Sequence, residues 1–135
     1  MLSQTTQPSS RVLVADDDAV IRHLISSTLR KLGYTPVEAN DGREAFRILR
    51  SDADFKAAIF DMVMPHIEGV DIIRHMRTEN RLRRIPVLMV TSERNLGTMT
   101  SSFQAGATFF LPKPFTAEQL QTTLGMLFSM SVATR

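Results

Sequence analysis

Four carboxylates, two hydroxyls and one ammonium group stand along this chain, each set at the end of a short apolar run. Asp16, Asp17 and Asp18 follow Val12-Leu13-Val14-Ala15, Asp61 follows Ile59-Phe60, Thr91 and Ser92 follow Leu88-Met89-Val90, and Lys113 lies between Pro112 and Pro114 after Phe109-Phe110-Leu111. Brought within a few ångströms, such carboxylates repel by about 1 kcal/mol per pair in water and by several times that where solvent is excluded. A divalent cation relieves the repulsion. Oxygen ligands with neither His nor Cys among them select magnesium, or a close relative such as manganese, over zinc. Magnesium held by a few carboxylates keeps positions that phosphate oxygens fill, and Lys113 and Thr91 add a compact cationic donor and a hydroxyl suited to the same oxygens. The set suits phosphoryl transfer. Asp61 is the candidate nucleophile, its carboxylate attacking phosphorus to give an aspartyl phosphate, with positioning and charge stabilisation carrying most of the rate.

Taken singly, each residue has a plainer role: the acidic triplet caps a helix, as Asp18 is placed to do, Asp61 starts a turn, and Lys113 is a solvated charge. The elements around them remove that reading. The runs 11–15, 56–60, 86–90 and 108–111 are apolar nearly throughout, as expected of parallel strands covered on both faces, while 34–39 is more polar, carries Pro36 and reads as an edge strand. Helix patterns alternate with them. Ile21, Leu24, Ile25, Leu29 and Leu32 recur at three- and four-residue spacing up to Gly33; Asp41 and Glu44 form a capping box before Ala45, Ile48 and Leu49. A third helix over about 69–80 buries Val70, Ile73 and Met76. Thr116 with Gln119, and Phe115 with Leu120, mark the start of the last, which buries Leu120, Leu124, Leu127 and Phe128. The fourth, over 95–105, holds Gly97, Thr98 and Thr100, poor helix formers, and is expected to be the most easily displaced. Five strand–helix repeats with right-handed crossovers close into an α/β fold, an open parallel sheet with helices on both faces. Ligands bind such sheets outside the carboxyl ends of the strands, where all the polar groups above fall.

The stretches Val12-Leu13-Val14-Ala15-Asp16-Asp17-Asp18, Phe60-Asp61-Met62-Val63-Met64-Pro65 with Gly69, Val90-Thr91-Ser92 and Lys113-Pro114-Phe115 together resemble the signature set of the receiver domain of bacterial two-component response regulators, over residues 11 to about 130. In length the chain is similar to the stand-alone CheY-like members. The resemblance implies a flavodoxin-like (CheY-like) three-layer sandwich, its five parallel strands in the order 2-1-3-4-5 and flanked by five helices. It implies that Asp61 takes a phosphoryl group from a sensor histidine kinase or a histidine phosphotransfer protein. Asp17 and Asp61 would bind magnesium directly, Asp16 largely through water, and the backbone carbonyl of Val63 would complete the protein ligands. Thr91 would swing toward the phosphoryl oxygens and Phe110 would turn inward behind it, changing affinity for an effector that docks on helix 4, strand 5 and helix 5. The family commonly holds the bond before Pro114 cis. Phe110 stands where many members have Tyr and has no hydroxyl to offer a partner. Val63 and Glu93 hold the positions that tune dephosphorylation, and an apolar Val63 cannot orient water.

The chain has 135 residues, 16 Lys and Arg against 14 Asp and Glu, and no Cys, so one domain over 11–130 between a disordered tail (1–10) and a short C-terminal tail (131–135) is expected, with no disulfide framework and no thiolate chemistry. The polar opening lacks a secretory pattern, and no apolar run approaches the roughly 20 residues that span a membrane, so a cytoplasmic protein with neither a membrane partner nor a DNA-binding domain is expected. His23, His66 and His75 read as surface residues, and Met62 and Met64 as packing. The cluster Arg74, Arg77, Arg81, Arg83 and Arg84 reads as a solvated face or as a surface for an anionic partner. Two alternatives stay open: a phosphorelay intermediate that passes its phosphoryl group to a second histidine, and a magnesium phosphatase of the haloacid-dehalogenase kind. The latter is disfavoured because Val63 stands where those enzymes place a second Asp.

Overall fold

A computed structural model describes residues 9–93 and 95–133. Of the tail expected over 1–10, residues 1–8 lie outside the described residues, as do 134–135 of the expected C-terminal tail. Strands and helices alternate: β1 (Arg11–Ala15), α1 (Ala19–Lys31), β2 (Thr35–Ala39), α2 (Gly42–Ser51), β3 (Ala57–Asp61), α3 (Gly69–Thr78), β4 (Val87–Thr91), α4 (Leu96–Ala105), β5 (Phe109–Pro112) and α5 (Ala117–Ala133). All pairings are parallel, in the order β2-β1-β3-β4-β5. The order and the five helices are those expected.

Successive residues of the inner strands point to opposite faces, and both faces are covered. Leu13, Ala15, Ala58, Phe60, Val87 and Met89 pack with Ala45 and Leu49 of α2 and Ile72, Ile73 and Met76 of α3. Val12, Val14, Ala57, Ile59, Leu88 and Val90 pack with Ile25 and Leu29 of α1 and Leu120, Leu124, Leu127 and Phe128 of α5. This is why the strands read as unbroken apolar runs. The stripe expected on α1 is narrower than its spacing implies: Leu24 is 37% and Leu32 42% exposed, while small Ser26 and Thr28 turn inward beside Ile25 and Leu29.

The caps form as their residue types require. Asp18 accepts from the amides of Val20 (2.9 Å) and Ile21 (3.3 Å), and Gly33 after α1 has φ 90°. Glu44 N donates to Asp41 (2.9 Å), while the Glu44 carboxylate reaches back to the amide of Asn40 (2.7 Å), one residue before the cap. Thr116 and Gln119 exchange both bonds of their box, at 2.9 and 3.0 Å. In α4 the described buried residues are only Ser102 and Ala105, consistent with a weakly held helix.

Strands β3, β4 and β5 run one residue further toward the carboxyl edge than their apolar runs suggest, because pairing and not hydrophobicity sets their ends. Asp61 pairs with Val90, and Thr91 with Pro112, so two candidate site residues are held inside the ladder itself. The fifth helix likewise continues past residue 130 to Ala133.

The start of α2 is pressed against the loop after β3. A Cβ on Gly42 would fall 1.8 Å from the Ile67 carbonyl oxygen, whereas one on Gly125, mid-α5, would meet nothing within 4 Å. Gly42→Ala is therefore expected to cost about 2 kcal/mol or more in urea unfolding, while Gly125→Ala gains about 0.5–1 kcal/mol by helix propensity. A neutral Gly42→Ala would contradict the close approach.

Candidate functional site

Because the sheet is parallel, the carboxyl ends of β1, β3, β4 and β5 deliver their last residues to one edge. Asp16 follows β1 and is fully buried. It is fixed through its backbone, its amide donating to Ala39 O (3.3 Å) and its carbonyl accepting from Arg22 (2.7 Å), while its Oδ1 accepts from the Asp18 amide (2.9 Å). Asp17 next to it is exposed, and Asp61 ends β3 with only 7% exposure. One carboxylate oxygen from each of Asp16, Asp17 and Asp61 lies within 4.8 Å of the others.

Lys113 faces this cluster from the residue after β5. Its backbone amide donates to Thr91 O (2.8 Å) and its bond to Pro114 is cis. The ammonium lies 3.0 Å from Asp16 Oδ2 and 3.4 Å from Asp61 Oδ2. Toward Asp16 the contact is ionic without hydrogen-bond alignment, so buried Asp16 Oδ2 has no hydrogen-bond donor. A buried carboxylate oxygen with unclaimed lone pairs, flanked by two further carboxylates, is the donor chemistry of a hard cation. The residues present therefore fit magnesium.

The electrostatics agree. Burial, and then the charge of Asp16, push the Asp61 carboxyl up to about 6 in spite of the opposing pull of Lys113. For Lys113 burial alone would favour the neutral amine, but the charges of Asp16 and Asp61, with the hydrogen bond to Asp61, outweigh it and raise its pKa. One ammonium thus serves two carboxylates and does not fully satisfy either.

Thr91, buried at the end of β4, accepts from the Glu93 amide through Oγ1 (3.2 Å). Phe110 is half-buried on β5, its ring 6.4 Å from that of Phe103 on α4. Val63 and Glu93 are exposed at the mouth, and the Val63 amide is 3.4 Å from Asp61 Oδ1. The start of α3 closes in from behind: Gly69 N donates to Met62 O (3.0 Å), and a Cβ on Gly69 would lie 2.5 Å from Asp61 O. Only glycine lets the helix approach that backbone.

Some contacts were not foreseen in the sequence. Met62 Sδ is 3.9 Å from Ser102 Oγ, which links the residue after Asp61 to α4. His66 takes φ 74°, and its Nδ1 lies 3.0 Å from Arg43 on α2. The arginine cluster is not one surface. Arg77 is a half-buried tie that donates to Gly106 O (2.7 and 3.1 Å), Ile85 O (2.9 Å) and Arg83 O (3.1 Å). Arg81 donates to Leu49 O and Arg74 pairs with Asp71, while Arg83 and Arg84 are exposed and have no ion pair among the described residues. Backbone carbonyls are the chief partners here, and since every sequence has them, no motif marks Arg77 off from its neighbours.

Residues 12–125 match the family model described as the response regulator receiver domain. The chain is similar to chemotaxis protein CheY1 of Helicobacter pylori, 37% identical over 115 residues, covering 84% of this chain and 93% of that one. Its fold superposes on the chemotaxis response regulator CheY4 of Vibrio cholerae with a TM-score of 0.81 at 34% identity, covering 88% of this chain and 98% of the other. It also superposes on the receiver domain of sensor histidine kinase PA1611 from Pseudomonas aeruginosa, which has a magnesium ion coordinated in its active-site cleft, with a TM-score of 0.80 at 28% identity over 90% and 98% of the two chains. The haloacid-dehalogenase alternative has no support among these likenesses. Among the described residues no helix is long and apolar enough to cross a membrane.

Proposed function

From the premise that this chain belongs to the response regulator receiver family, whose members are phosphoacceptor switches that bind magnesium in an acidic pocket, we propose that it is a chemotaxis-type response regulator phosphorylated on Asp61. The observation that carries the reading is the set of Asp16, Asp17 and Asp61 carboxylates within 4.8 Å of one another with the Lys113 ammonium against two of them. Asp16, Asp17, Asp61 and the Val63 carbonyl would hold magnesium, or manganese in its place. The metal supplies charge neutralisation for carboxylate and phosphoryl oxygens alike.

The chain's own groups do the rest. A carboxylate oxygen of Asp61 forms the new bond to phosphorus as the bond from phosphorus to a histidine nitrogen breaks, and the imidazole leaves neutral after taking a proton. Lys113, already beside Asp61, takes up a phosphoryl oxygen, and Thr91 exchanges its bond to the Glu93 amide for another. As Thr91 moves, the space behind it opens to Phe110, and the Phe110–Phe103 contact carries the change to α4. The weakly buried α4, with β5 and α5, is then the face whose affinity for an effector protein changes. Moving such a switch from mostly off to mostly on takes a differential of about 3 to 5.5 kcal/mol between its states, within reach of a few charge-assisted contacts. Exposed, apolar Val63 leaves no side chain at its position to orient a water, so hydrolysis of the adduct proceeds without that help.

The test is incubation with magnesium and acetyl phosphate, read by intact mass. Wild type is expected to gain one phosphoryl group, and Asp61→Asn none; an unlabelled wild type, beside a control receiver that labels, would overturn the reading. Phosphotransfer profiling against histidine phosphotransfer proteins then separates the two outputs, since a relay intermediate hands its label on and a terminal regulator keeps it.

A further inference from the structure

At the amino end of the sheet, away from the acidic edge, lies a groove of about 390 Å³ whose lining includes Arg83, Arg84, Ile85, Pro86, Thr108 and Met130. Its floor and one wall are apolar: Ile85 and Pro86 are buried just ahead of β4, and Met130 on α5 is 41% exposed. Arg83 and Arg84 stand exposed at its rim. No carboxylate pairs with them among the described residues, and Glu79, four and five residues before them, is engaged with Arg81. Arg77 reinforces the positive field from beneath. By drawing in the carbonyls of Arg83, Ile85 and Gly106 it removes the acceptors that would otherwise repel an incoming carboxylate, and it adds a guanidinium of its own.

We propose that this groove docks an acidic segment of a partner protein, one in which Asp or Glu side chains flank an apolar residue. The carboxylates would pair with Arg83 and Arg84 while the apolar side chain covers Ile85, Pro86 and Met130. Unpaired arginines beside an apolar floor are the combination that concentrates binding energy at protein interfaces, and since the rim has no acidic partner among the described residues, docking breaks no ion pair there. The five residues of β4 separate the groove from the acidic edge by about 15 Å. A bound segment therefore leaves Asp61 open to a phosphoryl donor, which makes the groove a tethering site independent of phosphorylation.

The probe is a fluorescein-labelled synthetic peptide, Glu-Asp-Leu-Glu-Glu-Phe-Asp-Glu, followed by polarisation at about 0.15 M ionic strength, where long-range attraction is largely screened. The full chain is expected to bind it, equally well with and without magnesium and acetyl phosphate. Reversing both rim charges, Arg83→Glu with Arg84→Glu, is expected to weaken binding more than tenfold. The same charge change on exposed α2, Arg47→Glu with Arg50→Glu, is expected to weaken it less than threefold. Should the reversal misfold by circular dichroism, Arg83→Ala with Arg84→Ala gives the same readout, with about a fivefold loss expected. Equal loss from both reversals, no binding by the wild type, affinity that follows phosphorylation, or tighter binding of oligouridylate at the same groove would each overturn the proposal.

Discussion

Asp61→Asn is expected to make the metal-free protein more stable by about 2–3 kcal/mol above pH 6, although it removes the residue on which the proposed chemistry depends. The carboxyl of Asp61 is pushed up to about 6 by burial and by Asp16, whereas in the unfolded chain it titrates near the ordinary aspartate value. Between those two points the folded state holds more protons than the unfolded one, so stability falls as pH rises across the window. The penalty is complete above about 6 and absent below about 4. Asparagine has nearly the same shape, carries no charge, and leaves Lys113 paired with Asp16 at 3.0 Å. Urea unfolding of both proteins in EDTA at several pH values checks this: the gap should open between pH 4 and 6 and then stay constant. Saturating magnesium should narrow it, because the ion stabilises the wild-type carboxylates and competes with the proton there. An asparagine variant less stable than wild type at neutral pH would show that Asp61 is a satisfied structural carboxylate.

The same strain explains why the site can act as a switch. A pocket that is under-neutralised at rest gains when charge is brought in with its own cation, and on the proposed reading the response of Lys113 and Thr91 would pass to α4 through contacts already in place. Met62 touches Ser102 on one side of α4, and Phe110 faces Phe103. At its far end α4 is pinned, since Gly106 closes the helix at φ 117° and its carbonyl takes two bonds from Arg77. On the proposed reading α4 would therefore move at the Asn95 end, where the Asn95 side chain caps Thr98 N at 2.7 Å.

What the sequence disclosed, and what it hid, divides along physical lines. Side chains that act through their own type were legible: Asp18, Asp41 and Thr116 cap where their short polar groups reach a free amide, and Asp16, Asp17, Asp61 and Lys113 meet because a parallel sheet sends every strand end to one edge. Alternating apolar runs gave the layers for the same reason. The apolar runs of β3 and β4 stop one residue short of the strands because the ladder includes Asp61 and Thr91 irrespective of polarity. Contacts to backbone atoms left no mark in the pattern. Arg77 reads like Arg74 until the carbonyls of Ile85, Arg83 and Gly106 are seen around it, and Gly42 reads as an ordinary first helical residue until Ile67 O is found beside it.

Lys113→Met should produce the opposite signature from Asp61→Asn, losing both stability and chemistry. The ammonium is the only cation within 4 Å of the Asp16 and Asp61 carboxylate oxygens among the described residues, and the Asp16 side chain it faces is 1% exposed. Removing one partner from a buried charge cluster costs about 3–5 kcal/mol, and protonation of Asp61 caps the loss toward the lower figure. Lys113 itself does not set the pH profile. Its pKa is raised, so the stability it confers is complete below the ordinary lysine value and is lost only as pH rises through the higher folded value, far above neutrality. The pH dependence of the variant therefore belongs to Asp61, which loses with Lys113 the charge that pulls its pKa down: destabilisation is largest while Asp61 is ionised, shrinks as pH falls and it takes up a proton, and is partly reversed by magnesium. With the metal saturating, labelling by acetyl phosphate should still be slower by about 10²–10³, the usual effect of deleting one preorganised donor to a charge-bearing oxygen. Urea titrations in EDTA at two pH values and the labelling rate in magnesium measure the two losses separately. Labelling within threefold of wild type would remove Lys113 from the phosphoryl site, and a loss of stability equal at pH 4.5 and 7.5 would assign it to lost packing of the lysine stem.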